Sequence, residues 1–322
     1  MMLALSPLPV PALLSRRLDA YAQTLSQSKG MHFDFARPVG EPALIAANSV
    51  AWQIFKNPLT LHIGGISAVI LELAEPQVRD GLWQSPTFRT DAPERLKALA
   101  LAKMIAVYGA KSAAERMIDG TDQGISRKSA VLPKGRAHLA DDPILLDWVK
   151  AASSFSAMEA YHRYVRPLSD ADRNAFLAEG QHVAQLYGAK SAAASLDDLD
   201  LLFDVMRNRL VKSAVIHDFL DTMQHVRSLP APLRPLRGIF VKAAIDVLPP
   251  WVRDRLDLWS HWSLSSTERR IINTLARAAD RLLLPSSAPV QACKRLGLPA
   301  SYLYGKGNPE DANPCPTPQA LR

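Results

Sequence analysis

Residues 91–109 read DAPERLKALALAKMIAVYG, and this stretch decides the fold class. Its apolar residues recur at three- and four-residue spacing, the period of a helix with one buried side. The same period runs through nearly the whole chain, alternating strand-like runs are almost absent, and the predicted architecture is all-α, one large multi-helix domain. Within the stretch, Arg95, Leu99 and Lys103 fall on one stripe about 12 Å long, so two cations bracket an apolar patch. Long basic side chains usually reach water along such a stripe. The functional reading is a cationic anchor for an acidic group on a large apolar ligand.

Outward from this helix, local start signals divide the chain. Ser112 with Glu115 reads as a capping box, Asp142 before Pro143 opens a second helix, Ser169 with Asp172 a third, and Ser265 with Glu268 repeats the device. Helices are expected at 12–26, 41–55, 60–73, 76–83, 92–108, 112–120, 143–165, 169–187, 196–209, 212–227, 235–247, 249–257, 266–284 and 287–296. The heptapeptide YGAKSAA occurs at 108–114 and again at 187–193, but the flanks differ. Helix stop at Gly109 or Gly188 and restart at Ser112 or Ser191 explains it, and the run lacks the first glycine and the strand of a phosphate loop. The expected organisation is an N-terminal helical extension (1–30), a core (31–228), C-terminal helices packed on it (229–304) and a flexible tail (305–322), with the proline-rich Leu229–Leu236 as a stiff hinge.

The chain has 322 residues, 48% apolar and 21% charged, ample for a full core and far from the composition of disorder. Lys plus Arg is 38 against 31 for Asp plus Glu, a formal charge of +7. With no zinc-finger spacing, RNP run or polybasic block, no nucleic-acid partner is expected. Cys293 and Cys315 are too few for a disulfide framework or a cysteine-held metal. The N-terminus is a poor secretory signal and no apolar run spans a bilayer, so the expected address is the cytoplasm. Peripheral membrane contact stays open through STERRIINTLARAADRLLL (266–284), where Arg269, Arg270, Arg277 and Arg281 crowd one side.

Several polar residues are weighed individually. Glu75 could face a cavity or end a helix; Lys150 and His162 share a helix but not a face; His138 lies in the loop GRAHLADDP and could reach a pocket. Glu159 with His162 and Glu179 with His182 have the Glu-x-x-His spacing of di-iron bundles, but a bend at Arg166–Ser169 would leave them about 12 Å out of register. His217 and His225, with Asp221 between them, suit a salt-bridged face as well as a metal.

The order of the segments GGISAVILELAEPQVRDGLWQSPTFRTDAPERLKAL, AVYG, ADDPILLDWVKAASSFSAMEAYHRYVRPLSDADRNAF and QLYGA resembles the rubber oxygenases (latex clearing proteins) and MpaB-type oxygenases. The likeness runs from about Gly40 to Tyr187 and continues in DVLPPWVRDRL. The resemblance implies an all-α oxidoreductase fold that holds haem b and uses dioxygen on a hydrophobic substrate. It places the haem pocket on an Arg-Leu-x-Lys/Arg-Thr stretch and the histidine of a His-x-x-Val-x-Gly stretch. Arg95 and Leu96 match; the following basic residue and threonine are Ala98 and Leu99, and the histidine, valine and glycine fall on Ile125, Lys128 and Ala130. Ala-His-Pro becomes Ala74-Glu75-Pro76, Glu-His-Ser becomes Gln84-Ser85-Pro86, the tyrosine before Asp-Pro becomes His138, and Trp-Val-His becomes Trp148-Val149-Lys150.

Isoleucine has no lone pair for iron, so the usual metal ligation is lost and only Lys103 or His138 could substitute. The expected pocket lining is Arg95, Leu99, Ile125 and His138, with Arg95 and Lys103 as catalytic candidates. Two readings follow. One is an oxygenase-like oxidoreductase acting on a hydrophobic small molecule, with haem b as cofactor. The other is a haem-free relative that binds an apolar ligand or a partner protein, with Arg95 and Lys103 meeting an acidic headgroup.

Overall fold

The computed structural model describes residues 6–9, 12–28, 31–83, 92–118, 142–225, 231–259 and 261–304. Among these the chain is all-α, as the apolar period predicts. The helices are α1 (Ala12–Leu25), α2 (Val50–Phe55), α3 (Pro58–Ala74), α4 (Pro76–Trp83), α5 (Ala92–Tyr108), α6 (Lys111–Ile118), α7 (Pro143–Tyr164), α8 (Asp170–Leu186), α9 (Leu196–Met206), α10 (Ala214–His225), α11 (Arg237–Val247), α12 (Pro250–Arg255), α13 (Ser266–Asp280) and α14 (Ala288–Arg295). A 3-10 turn at Ala231–Leu236 leads into α11, and the two-residue strands Gln27–Ser28 and Met31–His32 pair as a short hairpin that periodicity could not reveal.

The axis of the molecule is α3. Asn57 caps it, its side chain accepting from the amides of Leu59 and Thr60, and Pro58 supplies a first-turn residue that needs no donor. All but a few of its residues are buried, and α7, α11, α10, α13 and α5 pack around it. The closest approach is to α7: a Cβ on Gly64 would lie 2.7 Å from the Ser156 carbonyl oxygen. Glycine there lets two helix backbones touch. The Trp148 indole closes the same interface by donating to the Leu71 carbonyl at 3.3 Å. Among the described residues no single helix is long and apolar enough to cross a membrane; α3 with Pro76–Leu82 has the length, but the pair is bent by 112°.

Local caps formed where the sequence places them at Asp142, Ser169 and Ser265, the last with both bonds of a capping box. Three expectations are corrected. Residues 41–49 are not helical: Lys111 N–H donates to the Pro42 carbonyl, Ala43 bridges to Ala110, and α2 starts only at Val50, where the Glu179 carboxylate accepts from the Val50 and Ala51 amides. Ser112 does not cap α6. It lies inside the helix, and the remote Glu41 carboxylate takes its amide and hydroxyl at 2.6 and 3.0 Å. In the second YGAKSAA copy Gly188 has φ +87, the left-handed stop that favours glycine, but no helix restarts at Ser191, whose amide donates to Asp147. The shared heptapeptide therefore has two different structures.

The arginines of α13 are largely engaged by the protein. Arg269 makes a two-pronged pair with Asp246 at 2.8 and 2.9 Å, Arg277 donates to the Val165 carbonyl and Arg281 to the Ser6 carbonyl. Beneath them, Asp280 and Lys56 form a buried pair at 3.3 Å, joined by Asn57, the Tyr161 hydroxyl and the Leu303 carbonyl. This pair ties the α2–α3 junction to α13 and the C-terminal segment.

Candidate functional site

While one side of α3 is committed to α7, its other side carries Leu61, His62, Gly65 and Glu72, spaced so that they share a face. Leu61, His62 and Gly65 keep partial exposure although α3 is the central helix, and a Cβ added to Gly65 would meet nothing within 4 Å. This face therefore borders open space. On α5, Leu96, Leu99, Lys103 and Met104 are likewise only partly buried. The helix α10 packs against both α3 and α5 and buries Ile216, Phe219, Leu220 and Met223, giving apolar surroundings.

Two nitrogen groups stand out on these faces. The His62 ring meets the Phe240 ring edge-on, 6.1 Å between centroids, and burial pushes its pKa from 6.5 down to about 4. It is neutral at pH 7, with one ring N–H and one lone pair. Burial likewise lowers the Lys103 pKa, and the Glu72 carboxylate across the gap partly restores it. No hydrogen bond or ion pair within 4 Å engages either His62 or Lys103 among the described residues. Both side chains are only partly buried, His62 beside the open space at Gly65 and Lys103 on the half-buried side of α5. The ten-residue step from His62 to Glu72 separates the two ends by about 15 Å along the helix axis.

The remaining candidates have other occupations. Arg95 lies in the first turn of α5, its side chain outside the described residues; Ile125 and His138 also lie outside them. Leu99 sits one turn before Lys103 and is partly buried, so the expected Leu99–Lys103 stripe exists. Glu75 is buried but does not face a cavity: it accepts from the Val78 amide at 2.7 Å and pairs with Arg209 at 3.3 Å, closing the α3–α4 bend. Lys150 sits over the Tyr187 ring. His162 accepts from the Leu168 amide through Nδ1, Glu159 pairs with Arg163, Glu179 caps α2 and His182 is exposed, so the two Glu-x-x-His pairs have separate structural tasks. His225 and Asp221 form an exposed pair, with His217 also at the surface. Among the described residues no three His, Cys, Asp or Glu groups come together to hold a metal ion.

His62 is the site residue that sequence reasoning missed. The available signal was a single imidazole, beside a Gly-Gly pair, inside an otherwise apolar sixteen-residue run. Periodicity alone assigns it to a core helix, and only the packing of α11 shows what it meets, the edge of the Phe240 ring.

No curated protein and no solved structure matches the chain. A sequence model of one family, described as the ER-bound oxygenase mpaB/B'/rubber oxygenase catalytic domain, matches residues 52–282, which span α3, α5, α7 and the whole site. The chain belongs to the MpaB and rubber oxygenase catalytic-domain family.

Proposed function

We propose that this oxygenase-type catalytic domain keeps its interior as a pocket for an apolar organic molecule, without the iron ligation of its relatives. The carrying observation is the partly exposed stretch of α3 at Leu61, His62 and Gly65, where Gly65 leaves space and the half-buried apolar side chains of α5 and the apolar helix α10 lie nearby, with no hydrogen bond or ion pair to His62 or Lys103 among the described residues. Pockets that are mainly apolar with a few polar groups are the usual form of small-molecule sites.

Haem does not fit the residues at the family's positions. Leu99 and Ile125 are hydrocarbons with nothing to donate to iron, and Ala98 offers no charge. No reaction step is therefore routed through it. What the chain's own residues supply is binding: apolar side chains line the face, His62 offers a neutral donor and acceptor, and Lys103 offers a half-buried amino group whose pKa is lowered by burial.

The test is expression of the full chain with iron and haem precursor, then an absorption spectrum and mass spectrometry of the solvent extract. A colourless protein that releases an apolar organic molecule is expected. A Soret band at one haem per chain overturns the loss of ligation, and a colourless protein that neither carries nor takes up any apolar molecule overturns the pocket.

A further inference from the structure

We propose that the pocket between α11, α12 and the start of α13 binds a phosphate group, held by the guanidinium groups of Arg253 and Arg269. The site shares no residue with the α3–α5 face and stands on its own observations.

The pocket encloses about 200 Å³. Ile245, Asp246 and Leu258 make a buried floor, Arg253 and Trp262 are half-buried walls, and Arg269 lies on the exposed rim. At about 30 Å³ per water molecule this is room for roughly six waters, enough for a phosphate group and part of its ester.

A surplus of donors sets the charge of the ligand. The Asp246 carboxylate has about four lone-pair sites. Arg269 takes it with both Nη atoms at 2.9 and 2.8 Å, the Tyr164 hydroxyl donates to it at 2.9 Å, and Arg163 and Arg253 stand 3.5 and 3.8 Å away. Its acceptors are used up, whereas each guanidinium carries five N–H donors. Arg253 has no other carboxylate within 4 Å among the described residues, and its buried Nε–H meets no acceptor there. Glu159 answers Arg163 at 2.7 Å and Asp246 answers Arg269 at 2.8 Å, which leaves Arg253 as the surplus cation. Buried donors in folded proteins normally have acceptors, and an anion in this pocket supplies them.

The arrangement of the donors favours phosphate over a carboxylate or a halide. The Arg253 guanidinium lies over the Trp259 ring, 4.3 Å from its centroid, and the Trp259 indole is itself fixed on Asp254. Such stacking holds the fork in place before a ligand arrives. Arg269 belongs to another helix, so two separate forks line one pocket, and the Trp262 indole adds an N–H with no partner among the described residues. A carboxylate has two oxygens and is satisfied by one fork; the oxygens of a phosphate group can answer both forks and the indole together.

Thermal unfolding of the full chain in chloride buffer, with inorganic phosphate added at constant ionic strength, tests the proposal on the wild type, Arg253→Gln and Arg253→Lys. Saturable stabilisation of the wild type by phosphate is expected. Arg253→Gln leaves Asp246 its pair with Arg269 and should need about tenfold or more phosphate for the same shift; Arg253→Lys, a charge without the fork, should fall between. No stabilisation of the wild type beyond that of chloride, or a folded Arg253→Gln that responds like the wild type, overturns the site. Should Arg253→Gln fail to fold, a wild-type response in Arg253→Lys overturns it equally. Sedimentation with phosphatidylcholine vesicles containing phosphatidic acid separates two sources of the group. Pelleting that free phosphate competes away and Arg253→Gln abolishes assigns the site to a lipid headgroup, and phosphate binding without pelleting assigns it to a soluble phosphate ester.

Discussion

Adjacent glycines on α3 should respond to the same substitution with opposite signs, which makes them a sensitive check on the helix packing. In Gly65→Ala the new methyl group meets no atom within 4 Å, so what remains is the gain in helix propensity and the smaller entropy of the unfolded chain, about 0.5–1 kcal/mol of added stability. In Gly64→Ala the same gain applies, but the Cβ would lie 2.7 Å from the Ser156 oxygen, 3.0 Å from its carbonyl carbon and 3.1 Å from the Ala157 Cα. These are backbone atoms of another helix and cannot rotate away. Separating α3 from α7 disturbs the Trp148 bond to Leu71 as well, and overpacking of this kind costs about 1–3 kcal/mol. Because the propensity gain is common to both, the two variants should differ by the overpacking cost, about 1–3 kcal/mol, in urea denaturation at equal m-value. A Gly64→Ala protein as stable as Gly65→Ala would refute the contact between the two backbones.

Acid should destabilise the wild type through His62. Its folded pKa, about 4, lies below the ordinary 6.5, so the unfolded chain binds the extra proton in that window and stability is lost as pH falls through it. At pH 5 the penalty is about 2 kcal/mol; His62→Gln should lack it, and parallel urea curves for the two proteins between pH 5 and 7.5 would disprove the buried neutral imidazole. Asp280→Asn leaves the buried Lys56 without its counter-charge and should cost about 3–5 kcal/mol in chemical denaturation, whereas a loss under 1 kcal/mol would show the pair to be dispensable.

Much of the architecture was legible because its signals are local. The bonds that start α7, α8 and α13 run from Asp142, Ser169 and Ser265 to amides two or three residues on, and such geometry is encoded in neighbouring residues. Ser49 caps α2 locally, but the carboxylates of Glu179 and Glu41 that take first-turn amides of α2 and α6 were not legible, because they reach them from 128 and 71 positions away. For the same reason Ser112, which has the spacing of a capping box with Glu115, turned out to lie inside its helix. Periodicity identified Lys103 as anomalous on an apolar helix, yet could not tell how far other helices cover it; the fold leaves it partly buried.

By itself, the order of residues determined that this chain is helical and belongs among the MpaB and rubber oxygenase domains. These follow from period, segment order and side-chain chemistry, none of which needs distant contacts. Only the tertiary structure decided which polar groups are answered. Glu75, Glu159, Glu179 and His162 found partners, while no hydrogen bond or ion pair engages His62 or Lys103 among the described residues, because hydrogen bonding depends on what the fold brings within a few ångströms.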